Sequence, residues 1–417
     1  MQTDYLILGA SHAALSALNA IRMHDADGSA TLVTRNSCLP YSPTVLPYVV
    51  SGRSQAQRVF LKDEGYFARS RAELLRGAAV AAVDAAGSRA HLADGRAIAY
   101  RKLLVATGAA PVVPPIPGLR ECPFHVLRTL DDALALKNAL GQARQAVVLG
   151  AGLVGMHAAE NLAKAGAAVT VVEMQPHVLP GYFDAQAAAI IESAFRKRGV
   201  KLLTGHKVVR VEPAGSRCTV CLEAGETIAA DLLLVGVGVA PVTDFLAGTG
   251  VEVDRGVLVD DTMRTSVDNI WAAGDVAQAR SFYSDARTVN GILPNAVEQG
   301  RVAGMAMAGD PGLKPFPGSV PLNTYTFFGQ RAVSVGIQEQ GVDGAEVYTE
   351  TDPDGRSYLK VVLRDGRLLG IFGINAAFDP GVMWELVLRR VDLAPVKTDF
   401  LVRPQETARV LMSRLWR

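Results

Sequence analysis

The residues best suited to chemistry lie in a glycine-rich stretch, Gly150-Ala151-Gly152-Leu153-Val154-Gly155, which follows an apolar run over 146–149 and opens a helical pattern. Gly150 permits the tight turn out of a strand, Gly152 lets the backbone approach a pyrophosphate, and Gly155 lets the helix lie close to the strand. The free N–H groups of the helix's first turn face the phosphates. Glu173 ends the next apolar run, about twenty residues on, where a carboxylate accepts hydrogen bonds from an adenosine ribose and repels a 2′-phosphate. The spacing predicts an NAD(H) site that discriminates against NADP(H). A lone glycine turn is a weak signal. Here strand, loop, helix, second strand and terminal acid occur in register, which weighs against a purely structural turn.

A degenerate copy of the same device opens the chain. A strand over 5–8 leads into Gly9-Ala10-Ser11-His12-Ala13-Ala14 and a helix over 14–22. Ser11 and Ala14 replace the second and third glycines, and both are small enough for a pyrophosphate to approach. After the strand over 30–34, Arg35 and Asn36 stand where a ribose-binding acid is expected, and an Asn bonds a ribose hydroxyl more weakly than a carboxylate does. Further small-residue turns end apolar strands at Ala106-Thr107-Gly108, at Gly236-Val237-Gly238 and at Ala273-Gly274-Asp275. The run 39–53, LPYSPTVLPYVVSGR, is rich in proline and aromatic residues and reads as a rigid connection. Asn295 and Ala296 open a helix whose N-terminus favours negative charge nearby.

The elements that position these groups are α/β. At 417 residues the chain has room for two or three domains, and its 49% apolar and 20% charged content suits a soluble globular protein. A net charge of +1 gives no case for nucleic acid or membrane as partner. No signal peptide and no apolar window long enough for a membrane helix is visible. Cys38, Cys122, Cys218 and Cys221 suggest a reducing cytoplasm, and they are too scattered for a four-thiolate iron–sulphur cluster. Cys218 and Cys221 spell C-x-x-C inside a run of period two, where side chains three apart point to opposite faces, so coincidence is the better reading. The pattern further predicts an amphipathic segment over 63–76, strand pieces over 80–100, a crossover linker over 111–117, a helix over 184–198 and strands near 201, 219 and 232. From about residue 315 strands predominate, with Arg364-Asp365-Gly366-Arg367 as a hairpin turn. A helix over 404–417 carries Leu411, Leu415 and Trp416, which serve either to dock a partner or to pack on their own domain.

Taken together, Gly9–Ala14, Ala106-Thr107-Gly108, Gly150–Gly155, the stretch 236–241 and Ala273-Gly274-Asp275 resemble the pyridine nucleotide–disulfide oxidoreductase superfamily of two-dinucleotide flavoproteins, in its ferredoxin reductase-like form. The resemblance spans nearly the whole chain. It implies two Rossmann-like domains, an FAD domain over 1–118 and 242–314 interrupted by an NAD domain over 119–241, and a C-terminal α+β interface domain over 315–417. It places FAD against Gly9, Ser11, His12, Ala13, Ala14, Arg35, Asn36, Pro43, Thr44, Ala106, Thr107, Gly108, Gly274, Asp275, Asn295 and Ala296. NAD falls to Gly150, Gly152, Leu153, Val154, Gly155, Glu173, Gly236, Val237 and Gly238, and no metal is implied.

Departures from the family narrow the chemistry. Where similar CoA-disulfide reductases and NADH oxidases carry a redox cysteine, this chain has Thr44, which forms no disulfide, sulfenate or thiolate; Cys38, six residues upstream, reads as a buried small residue. Where similar ferredoxin reductases pair a Lys with a Glu, it has Tyr48 and His157. His157 is placed either to tune nicotinamide binding and hold a proton or to sit in a packed helix–sheet contact. With Thr44, Tyr48 and His157 as the candidate catalytic side chains, the flavin itself is the redox centre. The resemblance then implies an FAD-containing NAD(H) oxidoreductase without an active-site disulfide, exchanging electrons with a separate iron–sulphur protein or subunit. Within that class the chain is similar to NAD-reducing FAD subunits of multi-subunit complexes, of the tungsten-dependent aldehyde oxidoreductase or phenylglyoxylate dehydrogenase kind, and so belongs in a hetero-oligomer. A stand-alone NADH-dependent ferredoxin or rubredoxin reductase is the alternative. Thr44 opposes an NADH oxidase, and the intact glycines with Glu173 oppose a non-catalytic flavin module.

Overall fold

The computed structural model describes residues 1–215 and 217–415, with Leu415 described for its backbone. The chain divides into two compact units: residues 1–45, 54–110 and 239–319 form the first, and residues 46–53, 111–238 and 320 onward the second.

The first unit is built on a seven-stranded sheet in the order Ala72–Arg76, Ala30–Thr34, Gln2–Leu8, Ala97–Val105, Arg89–Leu92, Val80–Asp84, with Ile270–Ala272 also on Ala97–Val105. Its centre is parallel and its far edge antiparallel. Parallel strands are covered on both faces, which explains why Leu6, Ile7, Leu8 and Leu103, Leu104, Val105 form unbroken apolar runs and are fully buried. The helix His12–His24 buries Ala13, Ala14, Ala17, Leu18 and Ile21 and packs along the helix Leu293–Ala308. The approach is closer than side chains allow: a Cβ on Gly300 would stand 2.2 Å from the Ala13 carbonyl oxygen, and one on Gly304 2.4 Å from that of Ala17.

The expected amphipathic element over 63–76 is instead two elements. Gly65–Arg69 is a short helix, the chain turns at Arg71 with φ +47°, and Ala72–Arg76 runs parallel beside Ala30–Thr34. Leu74 and Leu75 are adjacent rather than helically spaced, and the Arg22 guanidinium fixes the turn by donating to the carbonyls of Ser70 and Arg71. Pairing with a neighbouring strand decides the conformation there.

The second unit holds a four-stranded parallel sheet, Lys201–Thr204, Ala168–Glu173, Gln145–Leu149, Leu232–Val235, and a meander of Val208–Ala214, Arg217–Leu222 and Thr227–Ala230. It also holds a five-stranded antiparallel sheet in the order Leu322–Phe327, Gln330–Gly336, Arg367–Ile374, Tyr358–Arg364, Glu346–Thr351. Asp184 joins two of these parts. Its carboxylate caps the helix Ala185–Arg196 through the Ala187 N–H and accepts from the Tyr358 hydroxyl at 2.6 Å and Lys360 Nζ at 3.2 Å. Lys360 is 3% exposed and also pairs with Glu339, so its charge is buried but matched. The hairpin at Asp365-Gly366 forms with φ +52° and +70°, as its sequence requires.

Cys218 and Cys221 are both buried and unbonded to each other, their thiols directed at the carbonyls of Ala230 and Thr219. Cys38, expected to be buried, is only partly so. The last helix spans Pro404–Leu415 and is seated by Ala408 and Met412, with Leu411 only half-buried and Val410 49% exposed. Trp416 and the Leu415 side chain lie outside the described residues. No helix among the described residues is long and apolar enough to cross a membrane.

The Gly300 and Gly304 contacts yield a stability prediction. Alanine ordinarily favours a helix interior over glycine by roughly 1 kcal/mol. Here each methyl meets a backbone carbonyl, so Gly300→Ala and Gly304→Ala are expected to lower the unfolding free energy by about 1–3 kcal/mol. Denaturant midpoints at or above wild type for both variants would contradict the contact.

Candidate functional site

In the second unit the strand Gln145–Leu149 turns at Gly150, whose φ is +95° and whose N–H donates to the Val172 carbonyl at 2.8 Å. A Cβ on Gly150 would lie 2.6 Å from the Gly236 carbonyl oxygen, and one on Gly155 2.0 Å from that of Gly150. These two glycines are required by the chain itself. Gly152 is not: its φ is −74° and nothing lies within 4 Å of where its Cβ would be. Its glycine leaves open space beside the first turn of the helix Leu153–Lys164, whose first intrahelical amide bond runs from Met156 to Gly152. The amides of Leu153, Val154 and Gly155 are thus left to an outside acceptor, as a phosphate site needs. Glu173 is held beside this loop, its two carboxylate oxygens accepting from the Ala151 N–H at 2.7 Å and the Gln175 N–H at 2.8 Å. Gly236 bonds back to Leu149, Val237 is 43% exposed, and Gly238, at φ +123°, accepts from the Val112 N–H.

The first unit repeats this wiring. Gly9, at φ +125°, donates to the Val33 carbonyl at 2.8 Å, and its absent Cβ would fall 2.1 Å from the Ala106 carbonyl oxygen. Ser11 caps the helix in an extended conformation that needs no glycine, its hydroxyl turned to the Tyr41 carbonyl. The first intrahelical amide bond runs from Leu15 to Ser11, so the amides of His12, Ala13 and Ala14 stay unused by the chain. Gly274, at φ +84°, packs on Ala13 and donates to Gln299 Oε1 at 2.8 Å, which fixes the turn carrying Asp275. Asn295 is buried and donates to the Asn290 carbonyl, with Ala296 buried beside it in sequence.

The His12 ring reaches Ser42 Oγ at 2.9 Å, and Ser42 Oγ lies 2.7 Å from Thr44 Oγ1. Thr44 follows Pro43 in a short 3₁₀ turn and is exposed. Burial holds the His12 pKa below the ordinary histidine value, against the opposing pull of Asp275.

Other candidates are placed differently from one another. Thr107 spends its hydroxyl on the Val242 carbonyl at 3.0 Å, and Gly108 turns the backbone at φ +69°. Arg35 is exposed, while Asn36 points its amide at the Tyr41 hydroxyl. Tyr48, 47% exposed, belongs to the second unit, in the helix Leu46–Val50. His157 is packed among aromatic rings, 4.7 Å from Phe327 and 6.1 Å from Tyr325 between centroids, and burial lowers its pKa. That geometry favours the packed-contact reading of this histidine.

Three positioning residues escape a motif-based reading. Gln299 sits four residues after Asn295 on one helix face, a spacing that could have drawn attention to it. Ser42 lies unmarked within the proline-rich run. Glu160, 6% exposed, accepts from Lys164 and from the Phe328 N–H, which links the nucleotide-loop helix to the five-stranded sheet.

The chain belongs to the pyridine nucleotide-disulphide oxidoreductase family, whose model matches residues 3–300. It is 56% identical over 416 residues to the NADH-dependent phenylglyoxylate dehydrogenase subunit epsilon of Aromatoleum evansii, covering 100% of this chain and 98% of that protein. It is 29% identical to the rhodocoxin reductase of Rhodococcus erythropolis over 95% of this chain and 92% of the relative. Among solved structures, a ferredoxin reductase from Rhodopseudomonas palustris superposes with a TM-score of 0.81 at 27% identity, over 89% of this chain and 91% of that one. The protein is therefore an FAD- and NAD(H)-dependent oxidoreductase of this family. The two open loops suit those cofactors: each leaves unpaired amides, and Gly152 leaves the space a side chain would fill.

Glu173→Gln keeps an acceptor for the Ala151 N–H and removes the charge. The ratio of kcat/KM for NADPH to that for NADH is expected to rise at least about tenfold, or roughly 1.4 kcal/mol. An unchanged ratio would contradict a ribose-selecting role.

Proposed function

We propose that this chain is the NAD-linked FAD subunit of a multi-subunit oxidoreductase, passing electrons from an iron–sulphur partner subunit to NAD⁺. The upstream reaction would be oxidation of a 2-oxoacid of the phenylglyoxylate class. The observation that carries this reading is the full-length similarity to the phenylglyoxylate dehydrogenase subunit. It is supported by a first-unit site in which an alcohol, Thr44, stands at the position of the family's redox thiol.

Bound FAD supplies the exchange between two-electron nicotinamide chemistry and one-electron cluster chemistry. The chain's own residues do the rest. Amides of residues 11–14 would bind the FAD pyrophosphate, Asp275 its sugar-alcohol chain, and residues 35, 36, 43, 44, 106–108, 295 and 296 would complete its bed. Gln299 positions the Asp275 turn. Amides of residues 152–155 would bind the NAD pyrophosphate, Glu173 its adenosine ribose, and residues 236–238 the opposite wall. In this reading the chain comprises an FAD domain (1–118 and 242–314), an NAD domain (119–241) and an interface domain (315–417), in a cytoplasmic complex.

A stand-alone NADH-dependent ferredoxin or rubredoxin reductase is the second reading, favoured by the similarity to rhodocoxin reductase. Purification under native conditions separates the two, since only the first requires cluster-bearing subunits to accompany the chain. For either, anaerobic NADH is expected to bleach the flavin of the isolated chain rapidly, with reoxidation at least about tenfold faster by a one-electron acceptor than by air-saturated buffer. Faster reoxidation by oxygen would overturn both readings and make the chain an NADH oxidase.

A further inference from the structure

The first unit holds one buried side chain that uses only half of its hydrogen-bonding capacity. Gln299 lies on the helix Leu293–Ala308 and is 2% exposed. Its Oε1 accepts from the Gly274 N–H at 2.8 Å, and that donor fixes which end of the amide is oxygen. The other end, Nε2, carries two N–H donors. No acceptor among the described residues meets them. Taking an amide out of water without a partner costs free energy, so a site that needed only to hold Gly274 is better served by an acceptor alone. The open donors point to an acceptor outside the chain.

The surroundings of Gln299 identify it. Gly274, which receives the Oε1 end, packs on Ala13: a Cβ there would fall 3.1 Å from that of Ala13. Gly300, next to Gln299 in the chain, rests on the same residue, where a Cβ would stand 2.2 Å from the carbonyl oxygen and 2.8 Å from Cα. Ala13 is one of the three first-turn residues whose amides the chain leaves unused. On the other side, Asp275 follows Gly274 directly. The Gln299 amide is therefore bracketed by two contacts to the loop that suits the FAD diphosphate. A neutral amide fits that group well. Its bond to an anionic oxygen is stronger than one to a neutral acceptor, and it brings no charge of its own to be buried.

We infer that Gln299 Nε2 donates to the diphosphate of FAD while its Oε1 holds the Gly274–Asp275 turn. One side chain then ties together two seats of the cofactor, that of the diphosphate and that of the sugar-alcohol chain assigned to Asp275. Binding of the first steadies the second. The inference goes beyond the hold of Gln299 on the turn, and it rests on the assignment of the amides of residues 11–14 to the diphosphate.

The test uses the whole chain with FAD bound and compares wild type with Gln299→Glu, which keeps an acceptor for the Gly274 N–H and removes both donors. FAD release on dilution is followed by flavin fluorescence. At pH 9 a carboxylate faces the diphosphate, and Gln299→Glu is expected to release FAD at least tenfold faster than wild type. Burial and the neighbouring anion raise the pKa of that carboxyl, so it protonates as the pH falls and regains a donor. The difference is expected to shrink below threefold at pH 6. Wild-type release at both pH values would show a residue that serves only the turn, and acceleration independent of pH would show a disturbed fold; either overturns the inference. A second measurement needs no variant. In the ¹⁵N-labelled wild-type holoprotein, one glutamine side-chain amide is expected to couple to phosphorus across its hydrogen bond. The backbone amides of residues 12–14 report the diphosphate seat in the same spectrum. Coupling at those amides with none at a glutamine overturns the inference and leaves the seat intact, while coupling at neither overturns both.

Discussion

The structure depends on two places where a side chain is impossible. At Gly9 and at Gly150 a parallel strand must hand its chain to a helix while the carbonyl of the neighbouring strand's exit, Ala106 or Gly236, occupies the volume of a Cβ. Both glycines also need a positive φ, and both close a hydrogen bond to the strand on the other side, at Val33 or Val172. An alanine at either position would face backbone strain and a carbonyl clash together. This closure sets the direction of the next helix: its first-turn amides face away from the sheet's hydrogen bonds, and the chain supplies no acceptor for them.

The rest of the site is an arrangement around those unsatisfied amides. In the second unit Glu173 is held at the loop by its hold on Ala151 and Gln175, so its carboxylate is fixed in place before a nucleotide arrives. Asp184 and Glu160 connect the helices of the same parallel sheet to the antiparallel one. In the first unit Gln299 holds the Asp275 turn, and the close-packed helix pair around Gly300 and Gly304 sets the distance at which Gln299 can reach it. None of these residues supplies a thiol.

Much of this is legible in the sequence because the decisive residues act locally. A glycine needed for positive φ, an acid at a strand's end or a hairpin such as Asp365-Gly366 is recognisable within a short window. The strand Ala72–Arg76 is not, since its identity comes from pairing with residues about forty positions earlier and its short local pattern does not separate it from the helical turn before it. Gln299, Ser42 and Lys360 escape notice for a related reason: each acts on a partner distant in sequence or through a side chain common in any helix or strand. His157 stands out in the sequence as an unusual residue at its position, but only the rings of Tyr325 and Phe327, far along the chain, show it as a packed group. Of the terminal helix the sequence suggests Leu411 as an anchor; the buried side is marked by Ala408 and Met412, because Leu411 sits at its margin.

In this reading a single flavin, with no thiol partner, is the whole redox inventory of the chain. An anaerobic titration of the purified protein with NADH, followed at the flavin absorbance band, distinguishes this from a flavin working with a redox cysteine. One NADH per FAD should complete the bleaching, with no long-wavelength thiolate-to-flavin band along the way. A requirement for two NADH per FAD, or the appearance of that band, would show a redox-active cysteine and contradict the account.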